Sequence, residues 1–186
     1  MAIVKARHAG NIDPQAVRAI REEIAEDPAR GQVEFRVRSE WRGQTRTRTS
    51  VESYSIGGRV VHRHFTIDTD EPFELLGRNT APNPQELLLA ALNACLTVGY
   101  ATGAALRGIT LEKVEIESSG GLDLRGVLGI EPPVVSGNES IRYVVRLKGE
   151  ATPEQLEEIH EAVKRASPNY FNLARPVRLD AQLVVE

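Results

Sequence analysis

The chain has 186 residues, of which 41% are hydrophobic, with a formal net charge of −3 and one cysteine. This length fits one domain with a sizeable core, and the mixed charge gives no electrostatic basis for binding nucleic acid or an anionic membrane surface. A single cysteine excludes an internal disulfide and a four-cysteine metal site, and it favours a reducing compartment. Because the first residues also lack the apolar stretch of a signal peptide, we expect a soluble, cytoplasmic protein.

The first predicted element is an amphipathic helix over residues 13–27, within an N-terminal extension that covers residues 1–31. From residue 32 onward, apolar and polar side chains alternate with the period of two that is typical of strands. Strands are predicted at residues 33–37, 45–49 and 59–67, with a hairpin turn at Trp41–Gln44.

The longest predicted helix runs from Asn83 to Gly108. Asn83 is a good N-cap, Pro84 suits the first helical position, and Gly108 supplies a left-handed stop. No charged residue lies between Leu87 and Leu106, which predicts a helix that is buried on nearly every side. Its length just reaches that of a membrane span, but its polar and small residues favour a central core helix instead.

One ridge of this helix carries only small side chains, at Ala91, Cys95, Gly99 and Gly103. A glycine inside a helix costs about 1 kcal/mol relative to alanine. Two glycines on one ridge therefore indicate a requirement for space. Either a second helix crosses closely at Cys95, or the glycines make room for bulky side chains.

Beyond the helix the predicted elements resume in antiparallel runs, which favours an α+β fold over a doubly wound sheet. One subunit offers few strands to cover the central helix, and this favours a twofold homodimer. The elements are strands at residues 114–117, 122–128 and 141–147, a helix at 152–165 with a capping box, a short helix or turn from 167, and a last strand at 177–185.

Cys95 is the leading candidate for chemistry, although an unpaired cysteine is commonly just a small buried hydrophobe. It lies about three turns into its helix, beyond the reach of the helix dipole, so a reactive thiolate needs a cation brought by tertiary contact. Arg42, at the hairpin turn beside Trp41, is the best-placed arginine.

His62 and His64 share one strand face, but no third metal ligand is evident. No nucleotide-binding motif is present, and we expect neither a cofactor nor a metal.

The sequence PNPQELLLAALNACL at residues 82–96 resembles the central-helix signature of the OsmC/Ohr family of peroxide-reducing proteins. The resemblance continues in Arg107-Gly108-Ile109 and in the order of elements, and it covers residues 33–186. It implies an intertwined homodimer in which antiparallel sheets enclose paired central helices. It also implies that Cys95 is the peroxidatic thiolate, that Arg42 stabilises it, and that an acid ten residues before the cysteine holds the arginine.

The sequence departs from this family pattern at two positions. Gln85 stands ten residues before Cys95, and the acid follows one place later, at Glu86. Ser167, before Pro168, stands where the resolving cysteine of the family is expected. The oxidised cysteine would therefore depend on an external thiol reductant.

Two functions follow from these features. The first is a one-cysteine peroxidase that reduces organic hydroperoxides or hydrogen peroxide with an external thiol, in oxidative stress defence. The alternative is a non-catalytic dimeric protein that binds a small hydrophobic ligand, with Tyr100, Tyr170 and Phe171 as pocket walls.

Overall fold

The computed structural model describes residues 11–130 and 134–185. Residues 1–10 of the predicted extension, and the start of the predicted loop at 131–138, lie outside the described residues. The chain forms two compact units, Met1–Ala90 and Ala91–Glu186. The boundary expected between residues 31 and 32 stays a prediction.

The first unit contains one helix, an antiparallel sheet and the start of the long helix. Asp13 caps the first helix by accepting a hydrogen bond from the N–H of Gln15, as the predicted helix start requires. In the sheet, β3 pairs with β1, β2 and β4, all antiparallel. The elements are α1 (Pro14–Glu26), β1 (Val33–Phe35), β2 (Arg38–Trp41), β3 (Thr47–Ile56), β4 (Arg59–Thr69) and the first residues of α2 (Pro84–Leu106).

Asp70 anchors the loop between β4 and α2, and it is the only residue in the described part of the first unit that is buried, at 1% exposure. Its carboxylate accepts hydrogen bonds from the hydroxyls of Thr45 and Thr80 and from the N–H groups of Glu71, Arg78 and Thr80. These bonds, that of the Thr45 hydroxyl first, hold the pKa of Asp70 well below its usual range.

The second unit packs helices against a two-stranded antiparallel sheet. Its buried apolar core is Leu92, Leu96, Tyr100 and Ala104 of the long helix with Ile109, Ile159 and Val163. The elements after α2 are β5 (Leu111–Gly120), α3 (Leu124–Leu128), β6 (Ile141–Gly149), α4 (Pro153–Ala166) and α5 (Pro168–Ala174). The capping box predicted for the α4 helix is present, with Thr152 and Gln155 bonded reciprocally.

Two predicted strands are wrong. Residues 122–128 contain helix α3, because the Asp123 side chain caps the N–H of Arg125 and Gly129 ends the turn in the left-handed region. Residues 177–185 form no strand, since no other part of the described chain pairs with them. The side chains of Leu179, Leu183 and Val185 are consequently almost fully exposed.

The long helix α2 is only partly covered within one chain. One face packs into the core, whereas Val98, on the opposite side, is 62% exposed. The prediction of burial on nearly every side is therefore not met by the single chain. By length and composition alone α2 is also long enough to span a membrane, a test that the core helix of a globular protein passes as well.

The small-residue ridge of α2 faces helix α4 of the same chain. A Cβ atom at Gly99 would lie 3.0 Å from Cγ1 of Val163, and one at Gly103 would lie 3.3 Å from Cγ2 of Ile159. The two glycines therefore make room for bulky side chains, which is the second of the two explanations that the sequence left open.

Candidate functional site

Cys95 is a free, half-buried cysteine in the middle of α2. Its sulfur accepts a hydrogen bond from the hydroxyl of Ser167, at a distance of 3.2 Å between Oγ and Sγ. Ser167 is itself buried, at 5% exposure. The residue that the family resemblance assigned to the second-cysteine position is therefore in direct contact with Cys95.

The contact follows from the way α2 and α4 pack. Each step of four residues along α2 meets a step of four residues back along α4, so that the helices run antiparallel: Gly103 meets Ile159, Gly99 meets Val163, and Cys95 meets Ser167. The larger side chains of α4 thus pack into the space that the small side chains of α2 leave. The last of these contacts is the one between Ser167 and the sulfur of Cys95.

Ser167 is fixed by its place between two helices. Its N–H donates to the carbonyl of Val163, ending α4, and its hydroxyl oxygen accepts from the N–H of Tyr170, at 3.3 Å, starting α5. One residue after Pro168, the Asn169 amide donates to the carbonyl of Ala91, at 2.8 Å, which ties α5 to the same ridge.

Arg42 lies in the tight turn between β2 and β3, where the hairpin was predicted. Its N–H donates to the carbonyl of Arg46, and Gly43 takes the positive φ of 92° that the turn requires. The guanidinium of Arg42 is half-exposed and forms a loose ion pair with Glu40, at 3.6 Å. A cleft of about 590 Å³ opens beside it, lined also by Arg46 and Arg48.

The neighbouring arginine Arg48 is engaged differently. Its guanidinium binds both carboxylate oxygens of Asp68, at 2.7 and 2.9 Å, and this hydrogen bonding lowers the pKa of Asp68. Arg48 thus forms a close, bidentate ion pair with Asp68, whereas the ion pair of Arg42 with Glu40 is longer. Arg42 and Cys95 belong to different units, and their contact stays a prediction.

Gln85 and Glu86 lie in the first turn of α2. Glu86 forms a capping box with Asn83: each side chain accepts a hydrogen bond from the backbone N–H of the other residue, both at 2.8 Å. The carboxylate of Glu86 therefore stabilises the helix start. A role for Gln85 or Glu86 in holding Arg42 stays a prediction.

One polar pair in the second unit was missed by the sequence reasoning. The hydroxyl of the buried Tyr100 lies 2.6 Å from Nδ1 of His160. Burial raises the pKa of Tyr100, so the hydroxyl stays protonated, and the tautomer of His160 decides which of the two atoms donates. The sequence gives no signal for this pair, because the two residues lie on different helices.

His62 and His64 lie on the exposed surface of β4. Within residues 11–130 and 134–185, no group of three or more histidine, cysteine, aspartate or glutamate side chains is placed to hold a metal ion.

A cavity of about 280 Å³ lies in the second unit. Its lining is mixed: the apolar and aromatic part includes Leu92, Ile141, Tyr143, Tyr170 and Leu173, and the polar part is residues 138–140. Of the three aromatic residues predicted as pocket walls, Tyr170 lines this cavity. Tyr100 is instead buried in the core, and Phe171 is half-exposed beneath the guanidinium of Arg175.

The fold is similar to that of several solved structures. An OsmC-like protein from Mycoplasma pneumoniae aligns at 15% identity and a TM-score of 0.57, over 76% of this chain and 87% of that one. A protein from Psychrobacter arcticus 273-4 aligns at 16% identity and a TM-score of 0.53, over 72% and 84%. The organic hydroperoxide resistance protein OsmC from Legionella pneumophila is 20% identical, with a TM-score of 0.49, over 76% and 89%.

A search of curated proteins finds no match. The sequence profile of the OsmC-like protein family matches residues 77–182, which is more than half of the chain. This segment contains the long helix α2, Cys95 and Ser167. With its antiparallel sheets and helices, the chain therefore belongs to the OsmC family.

Proposed function

We propose that the protein is a one-cysteine thiol peroxidase that reduces small hydrophobic hydroperoxides at Cys95. The observation that carries the proposal is the position of Cys95 within the matched family segment, half-buried and hydrogen-bonded to a hydroxyl. The hydroxyl that donates to the sulfur forms its stronger hydrogen bond with the thiolate, which is the nucleophilic form.

The reaction has two stages. In the first, the Cys95 thiolate attacks one oxygen of the peroxide: an S–O bond forms, the O–O bond breaks, and the alcohol leaves after taking up a proton. The products are a sulfenic acid and an alcohol. Arg42 is the proposed cation for the thiolate, and Gln85 or Glu86 the proposed support for Arg42.

In the second stage the enzyme is reduced again. Because the sequence has no second cysteine, an external thiol must attack the sulfenic sulfur and release water, forming a mixed disulfide. A second thiol then releases Cys95 and leaves with the first as a disulfide. A cytoplasmic location belongs to the same proposal, because that compartment maintains reduced thiols.

The test is consumption of cumene hydroperoxide with dithiothreitol as the reductant. We expect Cys95→Ser to lower the rate at least about 100-fold, since a serine hydroxyl is not ionised at neutral pH and is a poor nucleophile. Ser118→Ala, on strand β5, is the control and retains the wild-type rate. Equal rates in Cys95→Ser and wild type would exclude the peroxidase.

The cavity lined in part by Tyr143 and Tyr170 favours the second candidate, a dimeric protein that binds a small hydrophobic ligand. That function predicts that Cys95→Ser binds a fluorescent fatty-acid probe as tightly as wild type, and that neither protein consumes peroxide.

A homodimer is part of the proposal, and exposed apolar surface supports it. The uncovered face of α2 carries Val98, and the unpaired segment 177–185 carries Leu179, Leu183 and Val185. Large exposed apolar surfaces commonly mark sites of association with another protein. A second copy that lays its own α2 against this face would bury it, with twofold symmetry.

We expect wild type to sediment as a dimer at micromolar concentration and Val98→Asp to sediment mainly as a monomer. A buried, unpaired carboxylate in the interface is the physical reason. Val127→Asp is the matched control, because Val127 is exposed on α3, and it should remain dimeric. A monomeric wild type would contradict the proposed assembly.

A further inference from the structure

We propose that Ser167 is a functional hydrogen-bond donor to the sulfur of Cys95, which holds the side chain in place and contacts the sulfur most strongly in its thiolate form. This inference rests on the proposed function, and it identifies a second residue that prepares Cys95 for reaction with a peroxide. The observations that carry it are the 3.2 Å contact, the burial of Ser167, and the hydrogen bond that Ser167 already accepts.

The direction of the hydrogen bond follows from the bonds of Ser167. A serine hydroxyl has one proton to donate and two lone pairs to accept with. Its oxygen already accepts the N–H of Tyr170, which starts α5. The proton is directed to Sγ of Cys95, the acceptor that the structure provides. The same hydroxyl thus caps a helix with its oxygen and contacts the reactive atom with its hydrogen.

Burial makes this bond effective. Because Ser167 is only 5% exposed, water competes poorly for its proton. A hydrogen bond to an ionised acceptor is about twice as strong as one to a neutral acceptor. The donor therefore binds the sulfur more strongly as a thiolate, which is the form that attacks peroxides, than as a thiol.

The helix packing explains why the donor is a small side chain. Position 167 continues the steps of four, through Ile159 and Val163, by which α4 fills the ridge of α2. At this third position the serine hydroxyl lies at hydrogen-bonding distance from the sulfur. The two preceding positions provide apolar packing, and the third provides a polar contact.

The experiment measures the reactivity of Cys95 directly, with iodoacetamide, across pH 5 to 10. We expect Ser167→Ala to lower the alkylation rate at pH 7 about three- to tenfold, since hydrogen bonds to charged groups are the stronger ones. Ser167→Thr, which keeps the hydroxyl, should stay within about twofold of wild type.

Loss of the helix cap requires its own control, because alanine at position 167 also removes the N-cap of α5. Thr152→Ala removes a hydroxyl cap in the same way at the start of α4, and its alkylation rate should equal that of wild type. Should Ser167→Ala fail to fold, Ser167→Gly replaces it, because glycine caps helices nearly as well as serine and carries no hydroxyl. A wild-type alkylation profile in a folded Ser167→Ala or Ser167→Gly protein would overturn the inference.

Alkylation uses no peroxide, and this separates the inference from the proposed function. Slow alkylation of Ser167→Ala, together with absence of peroxide consumption in wild type, would support the contact and exclude the peroxidase. Unchanged alkylation, together with peroxide consumption that depends on Cys95, would exclude the role of Ser167 and leave the peroxidase standing.

Discussion

Asp70→Asn is expected to lower the thermal midpoint of unfolding by about 5 to 10 °C at pH 7. Buried hydrogen-bond donors that lose their acceptor destabilise the folded state. At this chain length each 1 kcal/mol of lost stability lowers Tm by a few degrees. Both carboxylate oxygens of Asp70 accept hydrogen bonds, from two hydroxyls and three backbone N–H groups. Asparagine has the same shape but only one oxygen. Its NH₂ group would face N–H donors at the other position.

The pH dependence distinguishes this mechanism from a general loss of stability. The pKa of Asp70 is lowered in the folded protein, so the carboxylate contributes stability above its unfolded pKa of about 3.9. That contribution is lost as the pH falls further, toward the folded pKa. The difference in midpoint between wild type and Asp70→Asn should therefore be constant from pH 5 to 8 and should narrow below about pH 4.

Asp68→Asn is the matched control, because Asp68 is exposed on the adjacent strand and pairs with Arg48 at the surface. Exposed ion pairs contribute little to stability, so its midpoint should change by less than about 3 °C. Differential scanning fluorimetry of the three proteins makes the comparison. Equal midpoints for Asp70→Asn and wild type at pH 7 would show that the loop does not depend on this carboxylate.

Leu96→Ala should lower the free energy of unfolding by about 3 to 4 kcal/mol. Leu96 is fully buried in the core of the second unit, one position along α2 from Cys95. Truncation removes apolar contacts and leaves a cavity that the surrounding side chains fill only in part. Urea denaturation at one fixed protein concentration measures the change, because stability depends on concentration if the protein dimerises.

Leu128→Ala makes the same chemical change at a site that is 68% exposed, and it should cost less than about 0.5 kcal/mol. A loss in Leu96→Ala no larger than in this control would contradict the assignment of Leu96 to the core. The proposed cysteine chemistry would be unaffected by that outcome.

Elements with strong local signals were predictable from the sequence. Helix α2 has its caps and its charge-free stretch, and helix α4 has its capping box. The alternating segment at 141–147 lies within β6, whereas the strand expected at 33–37 is present only as β1, which ends at Phe35. In each of these segments the local sequence pattern and the tertiary environment favour the same secondary structure. Such segments can therefore be assigned from the sequence.

The errors have local or tertiary causes. At residues 122–128 the apolar alternation suggested a strand, but Asp123 and Gly129 are the two ends of a single helical turn. At 177–185 the alternation is that of a strand, yet a strand also requires a neighbour. Whether a neighbouring strand is available for hydrogen bonding depends on the assembled fold, and the sequence of the segment alone does not show it.

For the candidate site, the sequence predicted which residues are involved but not the contacts between them. The sequence singled out Cys95, and the family pattern drew attention to Ser167, but the hydrogen bond between them depends on the antiparallel match of two helices far apart in sequence. Asp70 and the pair of Tyr100 with His160 carried no local signal, because loops and distant helices bring their partners together.

The sheet of β1 to β4 has a consequence for the behaviour of the whole protein in dilute solution. Within the described part of the first unit no apolar side chain is buried, so backbone hydrogen bonds and polar anchors such as Asp70 hold the sheet together. Bonds of this kind are open to competition from water, and they gain strength when a second surface excludes it. If a second copy supplies that surface, the stability of the first unit depends on protein concentration. Dilution would then loosen the sheet of β1 to β4 before it disturbs the second unit, which has the apolar core and Cys95.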